Sequence, residues 1–333
     1  ITTKEQSMEY ETLLRFACGS STESCLLIMR HVLKQWKCKG NSKLHRIMLY
    51  LLAEHQGNED NQGIVDCMKE CFEDQTLYLQ RISQHAITGL TKFPETSQIT
   101  ELSIKNFSLS LTATQTMLKH LKHLEEVRII WASFPSNVSP VYSVRHINID
   151  YMANTMSYST ALGFVPCATI VTVGMGFNKR DGVVGAIAEG IAEAAKSVES
   201  VAWKELTIDG SAGSEVVSFE TGQGLANMAG YLPHLEVLEL CRVDMNEKAL
   251  IAIVEKCAEI TTMKEIRIGL CGSRVDGALD THLMQSFGQV GGGIFVTVYH
   301  SLKYGAKIKR SYRVKHFQPS SPPRRKKYSL ASY

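Results

Sequence analysis

The sequence predicts an α/β solenoid: short parallel strands side by side, helices along their outer side, and an α-helical domain in front. Three observations carry this. An apolar triplet of the form Φ-x-x-Φ-x-Φ, with Φ usually Leu, Ile or Val, recurs eight times beyond residue 96. Helix-spaced apolar residues separate several of these triplets. The first 96 residues lack the triplet and read as helices.

The clearest triplets are Ile99-Leu102-Ile104, Leu124-Val127-Ile129, Val144-Ile147-Ile149, Leu235-Leu238-Leu240 and Met263-Ile266-Ile268. Weaker copies are Ala168-Val171-Val173, Trp203-Leu206-Ile208 and Gly293-Val296-Val298. Successive side chains of a strand point to opposite faces. In Leu102-Ser103-Ile104 the two aliphatic residues therefore enter a core and the serine faces out. One such unit cannot hide its apolar face alone, so a recurring unit signals stacked repeats. The final apolar positions fall at 104, 129, 149, 173, 208, 240, 268 and 298, giving steps of 25, 20, 24, 35, 32, 28 and 30 residues. Leucine-rich repeats run roughly 20–29 residues, a strand plus a helix or tighter turn. The longer steps place their extra residues in outer helices or loops, where insertion costs little.

Between triplets the period changes to that of a helix. Ala249, Leu250, Ile253, Val254 and Cys257 share one face, as do Val183, Val184, Ile187, Ile191 and Ala195. Asn246 stands where an N-cap belongs, with Ala249 in place of a capping-box partner. Alternation of strand and helix requires parallel strands with helices outside. The competing reading is an unrelated α/β domain in which the triplets are ordinary strands.

The helices expected in residues 1–96 are Lys4–Cys18, Thr22–Lys37, Lys43–Glu54, Asn61–Cys71 and Tyr78–Lys92. Leu13, Leu14, Phe16 and Ala17 form one apolar cluster, Leu26, Leu27, Met29, Val32 and Leu33 another, and Ile47 to Leu52 a third. Gly57-Asn58-Glu59-Asp60-Asn61 reads as a surface loop. Phe93-Pro94 ends the helical part, because the residue before proline resists helical geometry.

A chain of 333 residues, 44% hydrophobic and 21% charged, is globular and long enough for a solenoid plus a smaller unit. No apolar run reaches the length of a membrane span, and the N-terminus carries no secretory pattern. Nine scattered cysteines without framework spacing imply a reduced, cytoplasmic setting with most thiols acting as small core residues. The net charge of +3 is polarised. After Leu302 come ten Lys or Arg and no Asp or Glu, leaving 26 basic and 33 acidic residues before it, a balance of −7. Residues 303–333 thus read as a basic, disordered tail. Its Pro322-Pro323-Arg324-Arg325-Lys326-Lys327 also fits a nuclear-import signal or a nucleic-acid contact.

Few residues point to chemistry. Gly174 and Gly176 follow Ile170-Val171-Thr172-Val173 and precede a helix over 182–197, as in a dinucleotide-binding turn. Lys179 occupies the place of the third glycine. A turn that needs glycine accounts for the same residues. Cys67 and Cys71, or His120 and His123, are each spaced to share a metal, yet neither pair has a second pair at structural-zinc spacing. No catalytic residue, cofactor site or metal site is expected.

A solenoid would instead present its outward strand residues on a concave wall: Glu101, Ser103, Lys105, Glu126, Arg128, His146, Asn148, Asp150, Glu205, Thr207, Asp209, Glu239, Glu265 and Arg267, with Thr297 and Tyr299 beyond. This wall is polar and leans acidic. It suits a protein or peptide partner of basic character, and it lacks the basic stripe that nucleic acid requires.

Three segments bear a resemblance. Leu13-Leu14-Arg15-Phe16-Ala17-Cys18-Gly19 resembles the segment closing the helical region after the nucleotide-binding module of NOD-like receptors, the NACHT–LRR family. Leu44 to Gln56 is similar to the Leu-rich helix that precedes their leucine-rich repeats, and Ile99-Thr100-Glu101-Leu102-Ser103-Ile104 falls where their first repeat is expected. The resemblance covers the order of elements over most of the chain. It implies domains at 1–96 (helical region), 97–302 (leucine-rich repeats) and 303–333 (tail). It also implies an intracellular innate-immune role in ligand recognition, autoinhibition or self-association. The family's phosphate loop, G-x-x-x-x-G-K-[ST], does not occur in these residues. ATP would thus belong to a module encoded upstream or lost. The alternative is a leucine-rich adaptor, such as a substrate-binding subunit of a ubiquitin ligase, whose N-terminal helices dock a partner.

Overall fold

The second and third apolar positions of all eight triplets lie on strands of one sheet; Gly293 lies outside the described residues. The computed structural model describes residues 4–36, 42–55, 61–92, 94–106, 108–133, 135, 137–152, 155–174, 182–197, 201–210, 217–243, 245–271, 294–301 and 307–314. Four helices come first: α1 (Lys4–Ser20), α2 (Thr22–Trp36), α3 (Ser42–Glu54) and α4 (Gln62–Cys71). The strands are β1 (Thr76–Gln80), β2 (Glu101–Lys105), β3 (Glu126–Ile130), β4 (His146–Asp150), β5 (Ile170–Gly174), β6 (Glu205–Asp209), β7 (Val237–Cys241), β8 (Glu265–Cys271), β9 (Ile294–Ser301) and β10 (Lys307–Val314). Between them run α5 (Gln84–Thr91), α6 (Leu111–His120), α7 (Thr155–Gly163), α8 (Val183–Ser197), α9 (Phe219–Ala229) and α10 (Glu247–Ala258).

The ten strands lie in strict chain order. β1 to β9 run parallel, and β10 returns antiparallel to β9, so an ordered strand lies inside the 303–333 segment expected to be a disordered tail; its alternating Lys307–Val314 run pairs with β9 along its whole length. The ladder keeps one register throughout. Leu77, Leu102, Val127, Ile147, Val171, Leu206, Leu238, Ile266 and Val296 form one continuous inward line, all fully buried. Leu79, Ile104, Ile129, Ile149, Val173, Ile208, Leu240 and Ile268 form the second, also buried. Each such side chain contributes about 1.5–3 kcal/mol on leaving water. The leading positions Ile99, Leu124, Val144, Ala168, Trp203, Leu235 and Met263 are buried as well. Trp203 donates its indole N–H to the Val165 carbonyl at 3.3 Å, reaching back into the unit that carries Ala168.

α7 packs on α8, α8 on α9 and α9 on α10, so these helices share one side of the sheet. Some contacts are close enough to demand glycine. A Cβ at Gly222 of α9 would lie 2.4 Å from Ala249 Cβ of α10, and one at Gly190 of α8 would lie 2.6 Å from Tyr158 Cβ of α7. Side-chain caps fix several helix starts. Asn61 accepts from the Ile64 N–H, Ser110 from Ala113, Ser218 from Thr221 and Asn246 from Ala249.

The helix expected over Tyr78–Lys92 is instead strand β1 followed by the shorter α5. Asp74 occupies the leading apolar position of this unit, so the triplet signal is missing although Leu77 and Leu79 fill the inward pair. The sheet therefore begins inside the segment read as purely helical. Two apolar clusters also turn out differently. Leu13, Phe16 and Leu27 are exposed, at 66, 83 and 64%, because α1 and α2 bury only the faces around Cys18, Cys25, Met29, Val32 and Leu33. Cys18 and Cys25 meet across the α1–α2 turn. Cys67, Cys71 and Cys257 are buried and lie outside any disulfide.

α3 covers the outer edge of β1, where an unpaired strand would otherwise invite association. His45 Nδ1 accepts the Tyr78 N–H at 3.0 Å, and the Tyr50 hydroxyl accepts the Ser83 N–H at 2.9 Å. Lys92 Nζ donates to the carbonyls of Leu52, Ala53 and His55, closing the C-terminus of α3. Arg15 of α1 binds Glu54 of α3 at 2.5 Å. One continuous apolar core runs from α1 to β9.

Burial pushes the His45 imidazole down to about 4, against the weaker upward pull of Asp74 and the Cys71 carbonyl. The unfolded chain takes up a proton at this residue near 6.5, before the folded state does. Its contribution is therefore intact above about pH 6.5 and is lost as pH falls toward 4. Denaturant titration should show stability dropping by about 2 kcal/mol between pH 7 and pH 5. His45→Asn, which keeps an acceptor, should flatten that slope; an unchanged slope would contradict the assignment.

Candidate functional site

The second face of the sheet carries the middle and flanking residues of each strand in a regular grid. Its first line, at the N-terminal ends, reads Thr76, Glu101, Glu126, His146, Ile170, Glu205, Val237, Glu265 and Phe295. The middle line reads Tyr78, Ser103, Arg128, Asn148, Thr172, Thr207, Glu239, Arg267 and Thr297. The last reads Gln80, Lys105, Ile130, Asp150, Gly174, Asp209, Cys241, Gly269 and Tyr299. The register thus brings every expected wall residue onto one surface. The side chains of Thr297 and Tyr299 lie outside the described residues.

Not all of these side chains are open to solvent. Ser103 is buried at 9% exposure between its larger register neighbours Tyr78 and Arg128, so it is not a contact residue. Both arginines of the grid are already engaged. Arg128 Nε lies 3.1 Å from Glu126 and 3.6 Å from Glu101, and His146 Nδ1 lies 3.6 Å from Glu126. Burial alone would lower the Arg128 guanidinium, but the Glu126 hydrogen bond and the carboxylates around it hold it above its ordinary value. Arg267 bridges Glu265 at 2.7 Å and Glu239 at 3.6 Å. Arg242 grips Asp209 with two bonds, of 2.7 and 2.5 Å. Reversing the charge of Arg128 or Arg267 would therefore crowd carboxylates together and disturb the fold itself.

Glu205 differs. It is exposed, it sits between Ile170 and Val237 in register, and it has no ion pair among the described residues. Its neighbour Lys204 is held by Glu236 at 3.3 Å. Counted over β2 to β8, the grid sets Glu101, Glu126, Asp150, Glu205, Asp209, Glu239 and Glu265 against Lys105, Arg128 and Arg267. The surface is acidic even after its internal pairs are made.

Gly174 has a role the sequence does not disclose. It stands between Asp150 and Asp209, and a Cβ there would lie 1.6 Å from Asp150 Oδ1. The glycine makes room for that carboxylate rather than for a turn. Burial, and then the nearby Asp209 charge, push the Asp150 carboxyl up, with Arg242 and Arg128 opposing. Strands in strict chain order contain no reversal point, the place where open α/β sheets bind dinucleotides. Gly176 and Lys179 lie outside the described residues. Among the described residues no group of three or more His, Cys, Asp or Glu is placed to hold a metal ion. Cys67 and Cys71 are buried, and His120 Nε2 lies 2.6 Å from Thr96 Oγ1. Burial, and then the Glu239 hydrogen bond, push the Cys241 thiol up to about 12, leaving it protonated and unreactive at neutral pH.

The upper rim of the grid was not anticipated. Arg81, Asn106, Trp131, Tyr151 and Arg242 each follow a strand directly, and each has φ between 50° and 61°. Bulky residues rarely adopt this left-handed conformation. Its recurrence in register marks the point where these units turn off the sheet. Trp131 is 61% exposed and packs obliquely on Tyr151, ring centroids 5.3 Å apart. The readable signal was the frame: Asn106, a type that tolerates positive φ, stands two places beyond the last apolar residue of its triplet, as Trp131 and Tyr151 do.

Compared with known proteins, the chain matches no family model and no curated protein. Among the described residues no helix is long and apolar enough to cross a membrane.

The contact at Gly174 is open to a double-mutant cycle. Gly174→Ala should cost about 1 kcal/mol, since even one added methyl group strains a filled site. In an Asp150→Ala background the same change should be neutral or slightly stabilising, because alanine suits a strand better than glycine. Equal costs in both backgrounds, read from denaturant midpoints, would refute the contact.

Proposed function

We propose that this chain is a leucine-rich-repeat recognition module of the NOD-like receptor type, and that its outward sheet face binds a protein or peptide of basic character. The observation that carries the reading is the asymmetry of the sheet. One face is wholly buried under helices. The other presents an acid-rich grid in which Glu205 stands exposed, with no ion pair among the described residues. A charged surface of this kind steers an oppositely charged partner and sets specificity more than raw affinity. Neighbouring strands lie about 4.8 Å apart, whereas helices need about 8–10 Å. A one-sided array is thereby favoured to bend with its strands on the inner wall, as a recognition groove requires.

The likeness to the NACHT–LRR family is supported by position. Leu13 to Gly19 falls at the end of α1, Leu44 to Glu54 lies in α3, and Ile99 to Ile104 leads into and fills β2. On this reading the nucleotide switch is assigned to no residue of this chain, and neither is any catalytic step. The exposed Leu13, Phe16 and Leu27 favour the adaptor alternative, in which α1 and α2 dock a second protein.

Glu205→Lys is the direct probe, because it breaks no internal pair. Its affinity for a panel of Lys- and Arg-rich peptides, measured by fluorescence anisotropy, should fall at least tenfold (about 1.4 kcal/mol) with an unchanged melting temperature. Equal binding by parent and variant would remove this face as the recognition surface.

A further inference from the structure

The strongly basic C-terminal segment and the acidic grid belong to one chain, and the sheet topology brings them to the same edge. β10 runs antiparallel to β9, so Val314 is paired with Ile294, the first residue of β9. The adjoining Phe295 is paired with Glu265 on β8. The chain therefore leaves the sheet at the N-terminal ends of the parallel strands. That edge carries the line of glutamates with Glu265 and Glu205 nearest to β10.

The reach is sufficient. Four strand intervals separate β10 from β6, which is roughly 19 Å at about 4.8 Å each. Arg324 lies ten residues beyond Val314, a length that spans up to about 33–36 Å when extended. The Pro322-Pro323 step in front of it favours an extended approach. The charges are complementary as well: everything up to Leu302 sums to −7, and everything beyond it is basic. Glu205 supplies a carboxylate with no ion pair among the described residues, and its register neighbours Ile170 and Val237 offer aliphatic surface for the methylene stems of lysine or arginine.

We propose that the segment Arg324–Lys327 docks in cis on the outward sheet face, with Glu205 as its principal acceptor. The segment occupies the face until a basic partner displaces it. This rests on the reading of the face as a binding surface for basic partners, and the experiment separates the two. The chain of residues 1–333 at low concentration, as a mixture of light and heavy isotope forms, is treated with a zero-length carbodiimide. Linked peptides should join Lys326 or Lys327 to Glu205 within one molecule. The links should disappear in Glu205→Gln and at 0.5 M salt. Mixed-isotope links, links only to other carboxylates, or no links would overturn the proposal, as would release of the segment to an added oligonucleotide with no effect of Glu205→Gln.

A second measurement uses a synthetic peptide of residues 318–329. A chain carrying R324S, R325S, K326S and K327S together should bind it at least tenfold more tightly than the parent, because the internal competitor is gone. Equal, measurable affinities would overturn docking in cis while leaving the face a basic-peptide site. Binding by neither chain would overturn both.

Discussion

Everything in this molecule depends on the constancy of one register. Because side chains alternate along a strand, a slip of one residue would turn an entire aliphatic pair out to water and bring the charged grid in. Nine parallel strands hold that register without a break, from Leu77 on β1 to Val296 on β9. The hydrophobic lines and the outward grid are two consequences of the same pairing. The outward residues need no conformational preference of their own to be aligned. They are carried into alignment by the burial of their neighbours.

A ladder of this kind must be closed at its ends and packed along its helical side. At the first edge α3 satisfies β1 through His45 and Tyr50, and Lys92 ties the end of α3 to the first repeat. The N-terminal helices are thus the cap that a stacked array requires, and the continuous core makes them part of it. Along the outer side, glycines at Gly190 and Gly222 let helices approach more closely than larger residues allow. At the rim, left-handed residues turn the chain off β1, β2, β3, β4 and β7 at a common level. The strain of placing Trp131 and Tyr151 there is held by a regular array on both sides.

Much of this was legible in the sequence. The triplets located β2 to β9, and helix periodicity placed α8 and α10 within a residue of their observed starts. The misses have specific physical origins. Strand β1 was hidden because Asp74 replaces the leading apolar residue while Leu77 and Leu79 still fill the core. Apolar residues run around much of α1 and α2, so composition could not tell the buried Cys18 and Cys25 from the exposed Phe16. The grid itself was readable from the triplet frame, but its internal pairing was not. Arg128 meets Glu101 from the preceding strand, 27 residues away in sequence, and nothing local announces it. The role of Gly174 likewise depends on a carboxylate one strand away.

The register is most directly measured by cross-strand disulfide trapping. Thr172 on β5 and Thr207 on β6 are register partners on the outward face, at the roughly 4.8 Å spacing of adjacent strands, within the span a disulfide bridges. The T172C/T207C pair should close readily on mild oxidation with the fold intact. The T172C/I208C pair, whose second cysteine points into the core, should not. Ready closure of the offset pair, or none of the matched pair in a folded protein, would contradict the ladder and the recognition face built on it.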